Sequence, residues 1–175
     1  MNTAITLSAV TKRYGATVAL ESATFDVQRG EMFGLIGSDG AGKTTAIRLM
    51  CGLLRPDAGE VRVLGRNPLL DHREITRRVG YLSQHFSLYG DLTVDENVSF
   101  FAEVHGVRRY QVRRDELLAM TQLTPFRSRL ADKLSGGMKQ KLALICTLVH
   151  EPELLLLDEP TTGVDPVSRR EFWKL

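Results

Sequence analysis

Apolar and polar positions along the chain divide it into short strands and longer helices. Ile5 and Leu7, then Leu20, Phe25 and Val27, alternate with polar neighbours in the manner of strands, with Gly15 and Gly30 at turns. Glu31–Ile36 is a short apolar run leading into a glycine-rich turn, and it reads as another strand. A helix is expected over Lys43–Cys51, with Gly52 as its C-cap. The turn Arg55-Pro56-Asp57-Ala58-Gly59 precedes a strand over Glu60–Leu64, and a strand over Val79–Ser83 precedes Gln84.

From Leu92 to Leu134 the pattern turns helical and more charged. Thr93 and Glu96 have capping-box spacing ahead of Val98, Phe100 and Phe101. Ser135–Val149 reads as a helix opened by Ser-Gly-Gly. Glu153–Leu157 predicts a buried strand, since four consecutive leucines leave it no polar face. The final helix starts near Pro166, a good first-turn residue. Strands alternating with helices predict an α/β fold with a mainly parallel sheet. An antiparallel N-terminal β portion and an inserted helical subdomain over residues 88–140 complete it, within one domain over residues 1–175.

Composition narrows the class without naming it. A chain of 175 residues suits one core, and 43% hydrophobic with 25% charged residues is ordinary for a globular protein. The net charge of +2 does not call for a polyanionic partner. Arg108, Arg109, Arg113 and Arg114 are interspersed with Asp115 and Glu116, which reads as a solvated helix face, so no nucleic acid is expected. No apolar run approaches bilayer-spanning length, and Met1–Val10 has no signal-peptide pattern. Cys51 and Cys146 fall in apolar helical patterns, as buried thiols do. The expectation is a cytoplasmic chain whose membrane role, if any, comes through a partner.

Gly37-Ser38-Asp39-Gly40-Ala41-Gly42-Lys43-Thr44 matches the Walker A pattern G-x-x-x-x-G-K-[ST]. Glycines let backbone N–H groups wrap a phosphate, and the following helix N-terminus adds partial positive charge. Lys43 is expected at the β- and γ-phosphates of ATP and the Thr44 hydroxyl at Mg²⁺, with Thr45 among the nucleotide-binding residues. Asp39 is awkward in a loop for a polyanion, and is expected to point away or to accept hydrogen bonds from the loop. Leu154–Leu157 runs into Asp158 and Glu159, a Walker B segment. Asp158 suits Mg²⁺, and Glu159 suits a general base that orients water.

Leu134-Ser135-Gly136-Gly137-Met138-Lys139-Gln140 closely resembles the LSGGQ signature of ABC ATPases. Other landmarks of that family fall in order. Tyr14 stands where an aromatic residue stacks on adenine. Gln84 resembles the Q-loop glutamine, which touches Mg²⁺ and water and senses the transport partner. Thr162-Gly163-Val164-Asp165 resembles the D-loop, with Val164 replacing the commoner leucine. The resemblance implies two such domains packed head to tail, with Ser135, Gly136 and Gly137 serving an ATP held by the other domain. Met138 and Lys139 depart from the family signature in the manner of bacterial ABC-2-type exporters, including multidrug exporter subunits. Leu88–Asn97 is similar to that group as well. Asp39 and Gly163–Pro166 resemble its members that fuse two cassettes.

These resemblances imply the ATP-hydrolysing subunit of an exporter, held on the inner membrane face by a permease that docks around Gln84 and Ser87–Gly106. The family's switch histidine follows the D-loop helix, whereas His72, His85, His105 and His150 all precede Walker B. The chain is therefore expected to be C-terminally truncated and to turn over ATP poorly by itself. Alternatives are a cassette that binds nucleotide without efficient turnover, a translation-type ABC ATPase and a P-loop kinase. The 49 residues between Gln84 and Leu134 leave no room for the long coiled coils of chromosome-associated members.

Overall fold

A computed structural model describes residues 2–84, 88–162 and 165–172. It separates into two compact units, Met1–Val79 and Gly80–Leu175.

In the first unit, strands β1 (Thr3–Tyr14) and β2 (Thr17–Gln28) form an antiparallel hairpin. β1 also pairs antiparallel with β3 (Ala58–Val63), so the sheet order is β2-β1-β3. As the central strand, β1 sends Ile5, Leu7 and Val10 into the core, where Val61 and Val63 of β3 join them. Helix α1 (Lys43–Met50) buries Ala46, Ile47, Leu49 and Met50. Cys51 caps it, and Gly52 follows at φ +70°, donating to Leu49 O. A short helix α2 (His72–Arg78), unforeseen in the sequence pattern, buries only Ile75.

One expected strand is missing. Residues 31–36 form no ladder with any described residue, and Met32 and Ile36 are 99% and 98% exposed. The segment is held locally by Phe33, which stacks on Phe25 of β2 with ring centroids 5.3 Å apart. An apolar run has strand propensity, but only a partner's backbone groups make it a strand.

Strand β4 (Val79–Leu82), whose residues from Gly80 on open the second unit, lies beside β5 (Leu154–Leu157) in a parallel pair. Of the four leucines of β5 only Leu156 is buried, so the expected fully buried strand is half-buried here. Helices α3 (Val94–Val104), α4 (Gln111–Met120) and α5 (Gly136–Leu148) share one core. Val94, Val98 and Ala102 of α3 meet Leu117 and Leu118 of α4 and Leu142, Ile145 and Cys146 of α5. Helix α6 (Pro166–Phe172) closes the described chain and buries Phe172.

The Thr93–Glu96 capping box forms as expected: Thr93 Oγ1 accepts from Glu96 N, and Thr93 N donates to Glu96 Oε2 at 2.8 Å. Both cysteines are buried thiols outside any disulfide, and burial pushes the Cys146 thiol well above its ordinary pKa. The arginines around α4 find local acids. Arg114 meets Asp115 at 3.0 Å, and Arg127 meets Asp95 at 3.0 Å and Asp115 at 3.1 Å. Among the described residues no helix is long and apolar enough to cross a membrane.

Candidate functional site

The first unit presents the phosphate loop. Residues 37–42 carry no regular structure and lead into α1 through Gly42, which holds φ +86° and ψ 7°. A side chain there would be doubly wrong: L residues avoid that conformation, and a Cβ would strike the Ala19 carbonyl. No side-chain cap hydrogen bond is made at the start of α1, where the helix carries its partial positive charge. Lys43 folds back, its Nζ donating to Gly37 O at 2.9 Å and Ser38 O at 3.0 Å. The loop is thus organised by its own lysine.

Ser38, Asp39, Gly40 and Ala41 are exposed, while Thr44 and Thr45 are half-buried on the first turn of α1. Tyr14 ends β1 at 48% exposure, available for stacking rather than packed in the core, with Lys12 Nζ 5.8 Å from its ring centre.

The second unit presents the carboxylates. Asp158 follows β5 and is buried, its backbone N–H donating to Leu82 O at 2.9 Å. Tyr81 of β4 donates its hydroxyl to Asp158 Oδ2 at 3.3 Å. Glu159 sits at φ +48°, a left-handed conformation that costs a non-glycine residue about 1 kcal/mol or more. Its Oε2 accepts from Gln84 Nε2 at 3.2 Å and from Thr162 Oγ1 at 3.1 Å. Gln84 and Glu159, far apart in sequence, are therefore in direct contact. Gly163 and Val164 of the expected D-loop, like His85 and Ser87, lie outside the described residues.

The same unit carries a second glycine-flanked helix start. Ser135 caps α5, its Oγ accepting from Met138 N at 3.4 Å, and Gly136 opens the helix. Gly136 is exposed, and Gly137 is buried behind it.

Three further polar residues stand out in the structure, of which Gln140 ends the signature-like motif and Asn97 the exporter-like stretch Leu88–Asn97. Tyr81 touches Asp158. Asn97 is fully buried, and so is Gln140, whose Oε1 has no hydrogen-bond partner among the described residues. Asn97 was findable, being a polar residue on the helix face that also carries Val94 and Val98.

Known proteins resemble this chain over most of its length. Residues 20–162 match the family model described as ABC transporter. The chain is 45% identical over 174 residues to the probable multidrug ABC transporter ATP-binding protein YbhF of Escherichia coli (strain K12), covering 98% of this chain and 30% of that one. It is 42% identical to the daunorubicin resistance ATP-binding protein DrrA3 of Streptomyces coeruleorubidus, covering 98% of this chain and 55% of that one. It thus spans from under a third to about half of the length of these relatives. A solved structure of an ATP-binding subunit of an ABC transporter superposes with a TM-score of 0.86 at 32% identity, covering 98% of this chain and 72% of that chain. A family model that matches most of the chain, together with these relatives, shows that the chain belongs to the ABC transporter family, among its ATP-binding proteins.

Proposed function

We propose that this chain is the ATP-binding and ATP-hydrolysing part of an ABC-2-type exporter, working as a head-to-tail pair of cassettes. The observation that carries this reading is the contact between Gln84 and Glu159, since it joins the candidate sensor of the transport partner to the candidate base. The residues read as 1–175 of a single ATPase domain, with a helical subdomain over 88–140.

Each group has a role set by its chemistry. The loop residues Gly37, Ser38, Asp39, Gly40, Ala41 and Gly42 and the Lys43 ammonium bind the phosphates of ATP, and Tyr14 stacks on its base. Binding asks Lys43 to exchange the loop carbonyls for phosphate oxygens, a gain because charge-assisted bonds to anions are stronger. Thr44, Gln84 and Asp158 supply a hydroxyl, an amide and a carboxylate oxygen, the hard donors that suit Mg²⁺. When bound, that ion neutralises charge on the phosphates. Glu159 orients and deprotonates the attacking water, and Gln84 reports on its state. Ser135, Gly136 and Gly137 serve the nucleotide of the other cassette.

The docking face for the membrane subunit is the region around Gln84 and residues 87–106. There Tyr89, 45% exposed, packs edge-on against Phe100 with centroids 4.6 Å apart. The chain would thus reach the inner membrane face through a permease. The names of YbhF and DrrA3, a multidrug transporter protein and a daunorubicin resistance protein, favour export over translation.

The test is ATP-dependent dimerisation of the full natural protein, followed by size-exclusion chromatography with light scattering in a Glu159→Gln background. A dimer that forms with ATP and dissolves with ADP is expected. A monomer under both conditions would refute the sandwich.

A further inference from the structure

Asn97 lies on the first turns of α3, wholly buried, and its side chain is spent on a single loop. Its Oδ1 accepts from Tyr89 N at 2.9 Å. Its Nδ2 divides two hydrogens among Tyr89 O at 3.0 Å, Leu92 O at 3.2 Å and Thr93 O at 3.0 Å. The loop from Tyr89 to Thr93 therefore takes its shape from one amide.

That loop is in turn zipped to the segment that leads into Ser135. Asp132 N donates to Gly90 O at 3.1 Å and Ala131 N to Leu92 O at 2.9 Å, and Thr93 forms a bridge with Leu130. Val94 N donates to Arg129 O at 3.0 Å and Asp95 N to Arg127 O at 3.1 Å, so the pairing continues into α3. Gly90 is the tightest point. A Cβ added there would collide with the carboxylate of Asp132, which also lies 3.8 Å from Lys139 on α5. The loop and the 127–132 segment are thus one hydrogen-bonded body, and Leu134 N, donating to Ala131 O at 3.1 Å, carries its backbone up to Ser135.

We propose that Asn97 is a positioning residue for the Ser135–Gly137 turn: it fixes the Tyr89–Thr93 loop, and the loop fixes the backbone that aims Ser135. Displacement of the loop by a docked membrane subunit then moves Ser135 with it. This inference rests on the two-cassette reading above. Asn97 touches no nucleotide in this scheme, so its effect falls on turnover and not on binding to a single cassette.

The experiment uses the full natural protein, measuring ATP Kd for the single cassette, kcat and the ATP-dependent dimer. Asn97→Asp keeps the acceptor for Tyr89 N and turns a carboxylate toward the other carbonyls. It is expected to cut kcat roughly 100-fold while Kd stays within about twofold. Gly90→Ala is expected to lower kcat by about two- to threefold, since its Cβ displaces the carboxylate of the exposed Asp132, and Gly90→Ala/Asp132→Ala to recover most of it. If Asn97→Asp does not fold, the Gly90 pair decides. A normal kcat in Gly90→Ala, a double variant no better than the single, or a Kd that rises in step with the loss of kcat overturns the proposal. Ser135 distinguishes the two levels: turnover indifferent to Ser135→Ala sinks the two-cassette reading and this one together. Ser135-dependent turnover indifferent to Asn97 and Gly90 sinks this one alone.

Discussion

The N-termini of α1 and α5 are both glycine-flanked and both lack acidic residues in the first turn, yet they are finished in opposite ways. α1 starts from a left-handed glycine with no side-chain cap, and its loop is braced by a lysine. α5 starts from a serine whose cap bond is long, at 3.4 Å, and its lead-in is braced by backbone pairing to another loop. An uncapped start leaves its full positive end for a ligand. A weakly capped start keeps a hydroxyl that can turn to an external acceptor at little cost. The first suits a permanent phosphate site, the second a contact made and broken in each cycle.

The largest effect should come from removing the brace of the uncapped start. Lys43→Ala is expected to weaken ATP binding by about 100-fold or more, since it deletes charge-assisted bonds together worth about 3 kcal/mol. Titration calorimetry on the full protein checks it, and retained micromolar binding would contradict the role given to Lys43. Glu159→Gln should divide the units differently. Nucleotide binding stays, while turnover in a steady-state phosphate-release assay falls on the order of 100- to 10,000-fold, the worth of a positioned base. Ordinary turnover in the Glu159→Gln variant would move the base elsewhere.

How much of this was legible in the sequence follows the same division. The helix starts at Lys43 and Gly136 and the Thr93–Glu96 box are local chemistry, and each appears where its residues predicted. What depends on a distant partner was not legible. Residues 31–36 have a strand's composition, but composition does not supply a ladder, and Met32 stands exposed. The four leucines of β5 promised full burial, which only Leu156 attains. The Gln84–Glu159 contact joins residues 75 apart, a pairing no local pattern encodes. Asn97 lies between these cases, its buried face readable and its loop partners not.

A smaller effect separates a cap built for stability from one built for use. Thr93 takes part in reciprocal bonds with Glu96, whose carboxyl is held below its usual range first by the Thr93 N–H and then by the hydroxyl. Thr93→Ala should cost about 1 kcal/mol, a fall in Tm of roughly 2–4 °C, with kcat lowered little. Ser135→Ala should do the reverse, shifting Tm less than Thr93→Ala does and abolishing most turnover. Differential scanning calorimetry beside the phosphate assay reads both. Equal Tm losses with equal activity losses would erase the distinction drawn between the two caps.

The smallest effect distinguishes the units by acid. In the first, Asp57 is held below the usual carboxylate range by the Arg13 backbone N–H and then by Lys12, so its contribution is present above the unfolded value near 3.8 and lost only in strong acid. In the second, burial lowers His105, whose ring stacks on His150 at 3.8 Å and 2° between planes. Between the lowered folded pKa and the unfolded value of 6.5, the unfolded chain binds more protons, so stability rises with pH there. Its contribution is therefore present above 6.5 and drains as pH falls through the folded value. Hydrogen exchange at about pH 7.5 and about pH 5.5, corrected for intrinsic rates, should show α3 and α5 loosening while β1–β3 holds. His105→Gln should flatten that difference. Equal loosening of both units, or a slope unchanged by the substitution, would show that the stacked histidines do not set the acid response of the second unit.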